Sequence, residues 1–347
     1  MDVFGDGISP FKSVKRHLWP LAGCLVGQNT PFVIAIWCGP TKDPQSVDEY
    51  LHDFIEEFKI LRDGFSFLNR NLKLKIRFFI ADAPARAWIR KVNQHGSYYS
   101  CERCTIKGGW KFRRITYDPT CEATLRTNES FEEQSQPQYH NGTSTLLSIG
   151  ISMISQFPLD IMHLVDLGCT KRLLALLLKK KASKFKLSKE SVGSLDTLSG
   201  FLYHFVPSEF SRKPRPLSQW CLYKAVEFRR IFLYDGFLIL KKQKNKEVYN
   251  CYLLLACAMR IFLDPELRTK YGEDGHKISS DFCIFSYDVL GASFVVYNIH
   301  HLIHLYHDIL LHGDPNSFSC YKYENNLGQI KSYLLAPGRT LQQKCVE

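Results

Sequence analysis

The chain has 347 residues, with 45 Lys and Arg against 34 Asp and Glu, a formal charge of +11 at neutral pH; that balance suits a polyanionic partner. Hydrophobic residues make up 45% and charged residues 23%, which excludes a wholly disordered chain and allows a sizeable core in about two domains, or in one domain with a large insertion. The longest uncharged apolar stretch, Leu146 to Leu159, has 14 residues interrupted by Gly150 and Pro158, short of the roughly 18 that a membrane span needs.

No membrane association is therefore expected. The opening Met1-Asp2-Val3-Phe4-Gly5-Asp6 has neither the basic nor the apolar segment of a secretory signal, so the 12 cysteines are read as mostly buried, reduced thiols.

In chain order, a short first strand ends at Asp6, and Leu21 to Val26 and Phe32 to Cys38 are apolar runs bounded by Gly, Asn and Pro, as buried strands are. Val47 to Leu61 has helical spacing, with Tyr50, Leu51, Phe54, Ile55, Phe58 and Leu61 on one face and acids on the other. Leu72 to Ile80 alternates and then becomes continuously apolar, which predicts a strand entering a core. Asp82 is placed to cap the following helix, with Pro84 in its first turn. The predicted order is β-β-β-α-β-α. Gly96 to about Ser144 is polar and aperiodic, a loop or inserted module. Leu164 to Leu178, Ala225 to Leu240, Cys251 to Leu263 and Phe285 to Leu311 are apolar segments of helical length.

Three acids occupy telling positions: Asp6 and Asp82 at strand ends, and Glu324 where Tyr321 to Leu327 opens a helix. Carboxylates converging from such places can hold two divalent cations about 3.5–4 Å apart, the arrangement that cuts and joins phosphodiesters. Taken singly, each has an ordinary reading: a turn Asp-Gly, an N-cap, a first-turn glutamate. Cys101-Glu102-Arg103-Cys104 is the one close cysteine pair, and His300 and His304 stand at i, i+4 on one helix face. Two thiolates and two imidazoles suit a closed tetrahedral zinc site, against a bland reading of loose thiols and a polar helix stripe. His163 reads first as a core histidine. Lys171 to Lys189 holds eight Lys or Arg and no acid, and Arg103, Lys107, Lys111, Arg113 and Arg114 are interleaved with Trp110, Phe112 and Tyr117; basic residues among aromatics can contact phosphates and stack on unpaired bases.

The ordered segments Gly5 to Ser13, Leu18-Trp19-Pro20, Phe79 to Ala87, Cys101 to Thr105, Phe157 to Leu164 and Tyr323-Glu324-Asn325 resemble transposases of the CACTA/Mirage/Chapaev (En/Spm-like) superfamily. The resemblance implies an α/β fold, an RNase H-like core with a large, mainly helical insertion between the second and third catalytic acids. It divides the chain into residues 1–95 (core), 96–311 (insertion) and 312–347 (C-terminal core helix). It maps the catalytic acids onto Asp6, Asp82 and Glu324 with Mg²⁺ or Mn²⁺, and a zinc set onto Cys101, Cys104, His163, His300 and His304, with His301 and His307 near enough in sequence to enter it. It implies DNA strand cleavage and transfer, DNA as partner, a homo-oligomer that joins two transposon ends, and a nuclear location. Only five residues precede Asp6 and the chain stops soon after Glu324, so a domesticated or truncated derivative is also expected. The competing readings are a non-catalytic DNA- or protein-interaction module and a zinc-stabilised scaffold for single-stranded nucleic acid.

Overall fold

The computed structural model describes residues 1–11, 17–40, 44–179, 184–241 and 246–334. Lys12 and Ser13 of the first motif, Lys180 and Lys181 of the basic run, and the residues from 335 on lie outside them. The fold is mixed α/β, mainly helical, with a small mixed sheet.

In chain order come β1 (Asp2–Gly5), β2 (His17–Cys24), β3 (Phe32–Gly39), α1 (Val47–Asp63), the hairpin β4 (Phe65–Phe67) and β5 (Arg70–Leu72), β6 (Phe78–Ile80) and α2 (Ala83–Ile89). The sheet has the order β3-β2-β1-β6, antiparallel except for the parallel pair β1 and β6. The predicted strand Leu72–Ile80 contracts to Phe78–Ile80. Its earlier half leaves the ladder because Leu72 turns back to pair with Phe65 and the amide of Leu74 donates to Leu61 O at 3.0 Å. Leu25 and Val26, expected to close a strand, are exposed in the turn after β2. α1 begins at Ser46, whose hydroxyl accepts from the Glu49 amide, and buries Tyr50, Leu51, Phe54, Ile55 and Phe58, the face its spacing requires.

The chain continues through the hairpin β7 (Gly109–Lys111) and β8 (Arg114–Thr116), α3 (Asn128–Glu132), a π-helical segment Met162–Thr170, then α4 (Lys171–Leu178), α5 (Lys189–Tyr203), α6 (Ala225–Arg230) and α7 (Gly236–Ile239). α8 (Lys246–Leu263), α9 (Pro265–Leu290), α10 (Tyr297–His312) and α11 (Tyr321–Ser332) follow. The expected helix Phe285–Leu311 is two helices, broken at Gly291, whose φ of +87° lies in the left-handed region. Ala225–Leu240 is α6 and α7 joined by the π-helical turn Ile231–Asp235.

Two compact units emerge. One comprises Met1–Lys107, Ala123–Asp160 and the described residues from Phe318 on; the other comprises Gly108–Glu122 and Ile161–Ser317. This division departs from an insertion spanning 96–311. Residues 96–107 and 123–160 stay with the sheet because their backbone and apolar side chains are tied to it. Asn93 N donates to Tyr139 O, Asn141 N to Lys91 O and Phe79 N to Gln156 O, while Phe131, Tyr139, Leu146 and Phe157 join the core formed by Val3, Trp19, Leu51, Phe54 and Phe79.

Alternation along β1 sends Val3 into that core and Asp2 and Phe4 to the opposite face. There Tyr323 of α11 stacks on Phe4, with centroids 4.7 Å apart and planes 4° from parallel. The buried Asp2 carboxylate receives a two-pronged pair from Arg77 at 2.8 and 2.6 Å, and Lys322 Nζ lies 3.6 Å away. The Tyr323 ring thus clamps α11 onto β1, while its buried hydroxyl has no hydrogen-bond partner among the described residues. Tyr323→Ala should cost about 3–5 kcal/mol through the cavity it leaves. Tyr323→Phe, which removes only the unpartnered hydroxyl, should be neutral or slightly stabilising. Urea unfolding midpoints of the two variants check both.

Candidate functional site

The antiparallel register Gly5↔Leu21 resumes at the bridge Ile8↔Leu18. Carried through the gap, that register sets Asp6 opposite Pro20 and Gly7 opposite Trp19. Pro20 has no N–H to give, so the ladder lapses at Asp6. Gly7 is glycine because a Cβ there would meet Trp19 Nε1 at 2.4 Å. The Gly-Asp-Gly and Leu-Trp-Pro motifs, far apart in the sequence reading, are therefore facing halves of one local structure.

The parallel register Asp2↔Phe78, Val3↔Phe79 and Phe4↔Ile80, continued two residues past its last pair, puts Asp6 in step with Asp82. Both leave the C-terminal ends of adjacent parallel strands, where functional groups of open sheets gather. Asp6 Oδ1 accepts the Gly7 amide at 2.6 Å, and Asp82 Oδ1 accepts the Ala85 amide at 2.8 Å as the cap of α2. Glu324 lies in the first turn of α11, one residue after the ring stacked on Phe4. All three are half-buried and belong to the sheet-bearing unit. Among the described residues they are not one of the groups whose ligand atoms crowd closely enough to hold a metal ion.

The described residues do include cysteine and histidine groups able to hold a metal such as zinc. In the sheet-bearing unit, Cys101 and Cys104 are buried thiols with Sγ atoms 3.4 Å apart, somewhat closer than the about 3.8 Å edge of a tetrahedral zinc thiolate pair. The amides of Arg103 and Cys104 point at Cys101 Sγ at 3.4 and 3.3 Å, a turn that favours thiolate. Without a cation, the hydrogen bond to Cys101 and then burial push the Cys104 thiol well up, so metal entry must displace protons.

In the helical unit, His300 and His304 of α10 are buried with Nε2 atoms 3.3 Å apart. Ligands at about 2.0–2.1 Å in a tetrahedron stand about 3.3–3.4 Å apart, so this pair has the spacing of two ligands of one zinc. Tyr117 stacks on His300 at 4.7 Å and is fixed by its amide to Val295 O at 2.9 Å. His301 is turned away onto its own helix, with Nδ1 2.8 Å from Tyr297 O. His163 sits on a different element, the π-helical segment, where Gly168 admits Asn298 so closely that a Cβ would meet its Nδ2 at 2.5 Å.

Sequence reading missed Glu102. Rather than a spacer between the cysteines, it is a buried carboxylate gripped by two buried arginines: Arg86 at 3.0 and 2.9 Å, and Arg90 by a short ion pair. Arg90 also donates to Met153 O at 3.2 Å, and Arg126 to Cys101 O at 3.0 Å while lying 3.7 Å over the Tyr139 ring. The only local signal was arginine at 86 and 90, one helical turn apart. Alternation and spacing carry no information on a partner that lies in a loop. The unit's cysteine turn is thus anchored to α2 by charge.

No protein-family model matches the chain, and no curated protein matches it.

Glu102→Gln removes one charge and leaves two buried guanidiniums uncompensated, so it should cost about 3–5 kcal/mol. Urea denaturation measures the loss. The reverse change Arg86→Lys, which keeps the charge but not the fork, should cost less.

Proposed function

We propose that the chain is a transposon-derived DDE-type transposase core with an RNase H-like sheet, of the CACTA/Mirage/Chapaev kind, that cleaves and transfers DNA strands. The observation that carries this reading is the parallel register of β1 and β6, which sets Asp6 in step with Asp82 on strands whose outer face supports the helix of Glu324. Asp6, Asp82 and Glu324 are the proposed ligands of Mg²⁺ or Mn²⁺. The ions, when bound, supply charge that activates the attacking oxygen and stabilises the leaving oxygen of a phosphodiester. The chain's part is orientation: one oxygen of each aspartate is pinned by a backbone N–H, so its carboxylate plane is set before any substrate arrives.

A single structural zinc taken by Cys101, Cys104, His300 and His304 fits their donor chemistry, two thiolates and two imidazoles, all buried. His163 is not needed to complete four ligands. DNA contact is assigned to the β7–β8 hairpin, whose exposed Trp110 and Phe112 stand among Lys111, Arg113 and Arg114. Its two-residue turn holds Phe112 and Arg113 at φ of +54° and +60°, a conformation normally left to Asn and Gly, which suits a tip kept for contact. Cutting paired transposon ends calls for more than one copy, in the nucleus.

A non-catalytic DNA-binding module is the second reading, favoured by the same hairpin together with the absence of the three acids from the close metal-capable groups.

Asp82→Asn keeps a good N-cap for α2 while removing a metal-binding charge. Mg²⁺-dependent cleavage of a DNA substrate should fall at least ~100-fold with an unchanged melting temperature. Salt-dependent DNA binding without cleavage in the parent protein would sink the nuclease and leave the binding module. Purified parent protein should carry about one zinc per chain by mass spectrometry. Cys101→Ser should lose it, and equal metal content in the two would exclude the site.

A further inference from the structure

The helical unit contains a cavity of about 690 Å³ between α4 and the turn before α10, within the size range of small-molecule sites. Arg114, Lys171, Arg172 and Lys179 line it, and among the described residues no carboxylate does. Arg172 is not a loose surface cation. Its Nε donates to Phe294 O at 2.8 Å, a second N–H donates to Ser293 O, and its guanidinium lies 5.3 Å from the Phe294 ring centroid. Two bonds occupy only part of its five-donor fork. Burial, and then the charge of Arg114, lower its pKa to about 10. Trp220, 8% exposed, adds a flat apolar wall, and Asn298 adds an amide with both a donor and an acceptor.

We infer that this cavity binds a nucleotide, its phosphate against the Arg114, Lys171, Arg172 and Lys179 cluster and its base against Trp220 and Asn298. Two arginines suit phosphate oxygens through paired N–H bonds, and an aromatic wall beside an amide suits a base with its polar edge. The same chemistry is met by a free nucleotide or by one unit of a single strand. The inference is independent of the acidic triad: a protein that cleaves nothing would still present this cavity.

The test uses the full chain and three probes followed by calorimetry: ATP, inorganic tripolyphosphate, and a (dT)20 oligonucleotide with one 2-aminopurine. Saturable ATP binding at least tenfold tighter than tripolyphosphate supports a free nucleotide as the source. Binding of the oligonucleotide with a changed 2-aminopurine signal, and none of ATP, supports a nucleotide within a strand. In either case Lys171→Glu with Lys179→Glu should weaken binding at least tenfold, with the circular dichroism and melting temperature of the parent. Lys171→Ala with Lys179→Ala gives the same reading should charge reversal unfold the protein. Tripolyphosphate binding as tightly as ATP would overturn the base subsite. Binding of no probe, or binding indifferent to the lysine variants, would overturn the inference.

Discussion

The pairing of β1 with β6 is the constraint on which the sheet-bearing unit depends. Three parallel residue pairs close a loop of more than seventy residues, and the entropy of that closure is offset by what the strands bury on both faces. On one side Val3 and Phe79 enter the core with α1; on the other Phe4 receives Tyr323, and Asp2 is neutralised by Arg77. The same register, extended past its last pair, brings residue 6 into step with residue 82 where both strands end. Pro20 and Trp19 sharpen this arrangement: one cannot donate to the ladder and the other leaves no room for a side chain at residue 7.

Charge organises the next layer. Glu102 sits between two cysteines and draws Arg86 and Arg90 of the α2 region onto the cysteine turn, while Arg103 reaches Phe157 O at 2.6 Å and Arg126 reaches Cys101 O. These arginines lie against a thiol pair in which the hydrogen bond to Cys101 and then burial push the Cys104 thiol up, so their charge only partly offsets the protonated state. In the helical unit the aromatic ring of Tyr117 stacks on His300 and holds its plane.

Much of this was legible in the residues. The α1 face, the Asp82 cap and the start of α11 follow from spacing and capping chemistry, and all are found. α9 was missed at its start although Asp264-Pro265 is a cap followed by a first-turn proline. Strand β6 was overextended because alternation continues through Leu74 and Ile76, which are shielded from water without being paired in the sheet. The long segment 285–311 was joined in one helix because apolar content outweighed a single glycine. The i, i+4 histidines were placed correctly on one face, and the structure further separates His301 from them by a backbone contact no spacing rule encodes.

The sequence by itself determined what depends on neighbours within a turn or two: helix faces, caps, the cysteine turn and the basic, aromatic character of the β7–β8 tip. Only the tertiary structure decided that residue 6 stands in step with residue 82, that Glu102 is a buried anchor, and that Arg114 and Arg172 share one cavity. The physical reason is range. Local preferences are set by hydrogen bonds and side-chain spacing a few residues apart, whereas these contacts form between distant segments, where burial and charge compensation decide the pairing and leave no periodic trace in the chain.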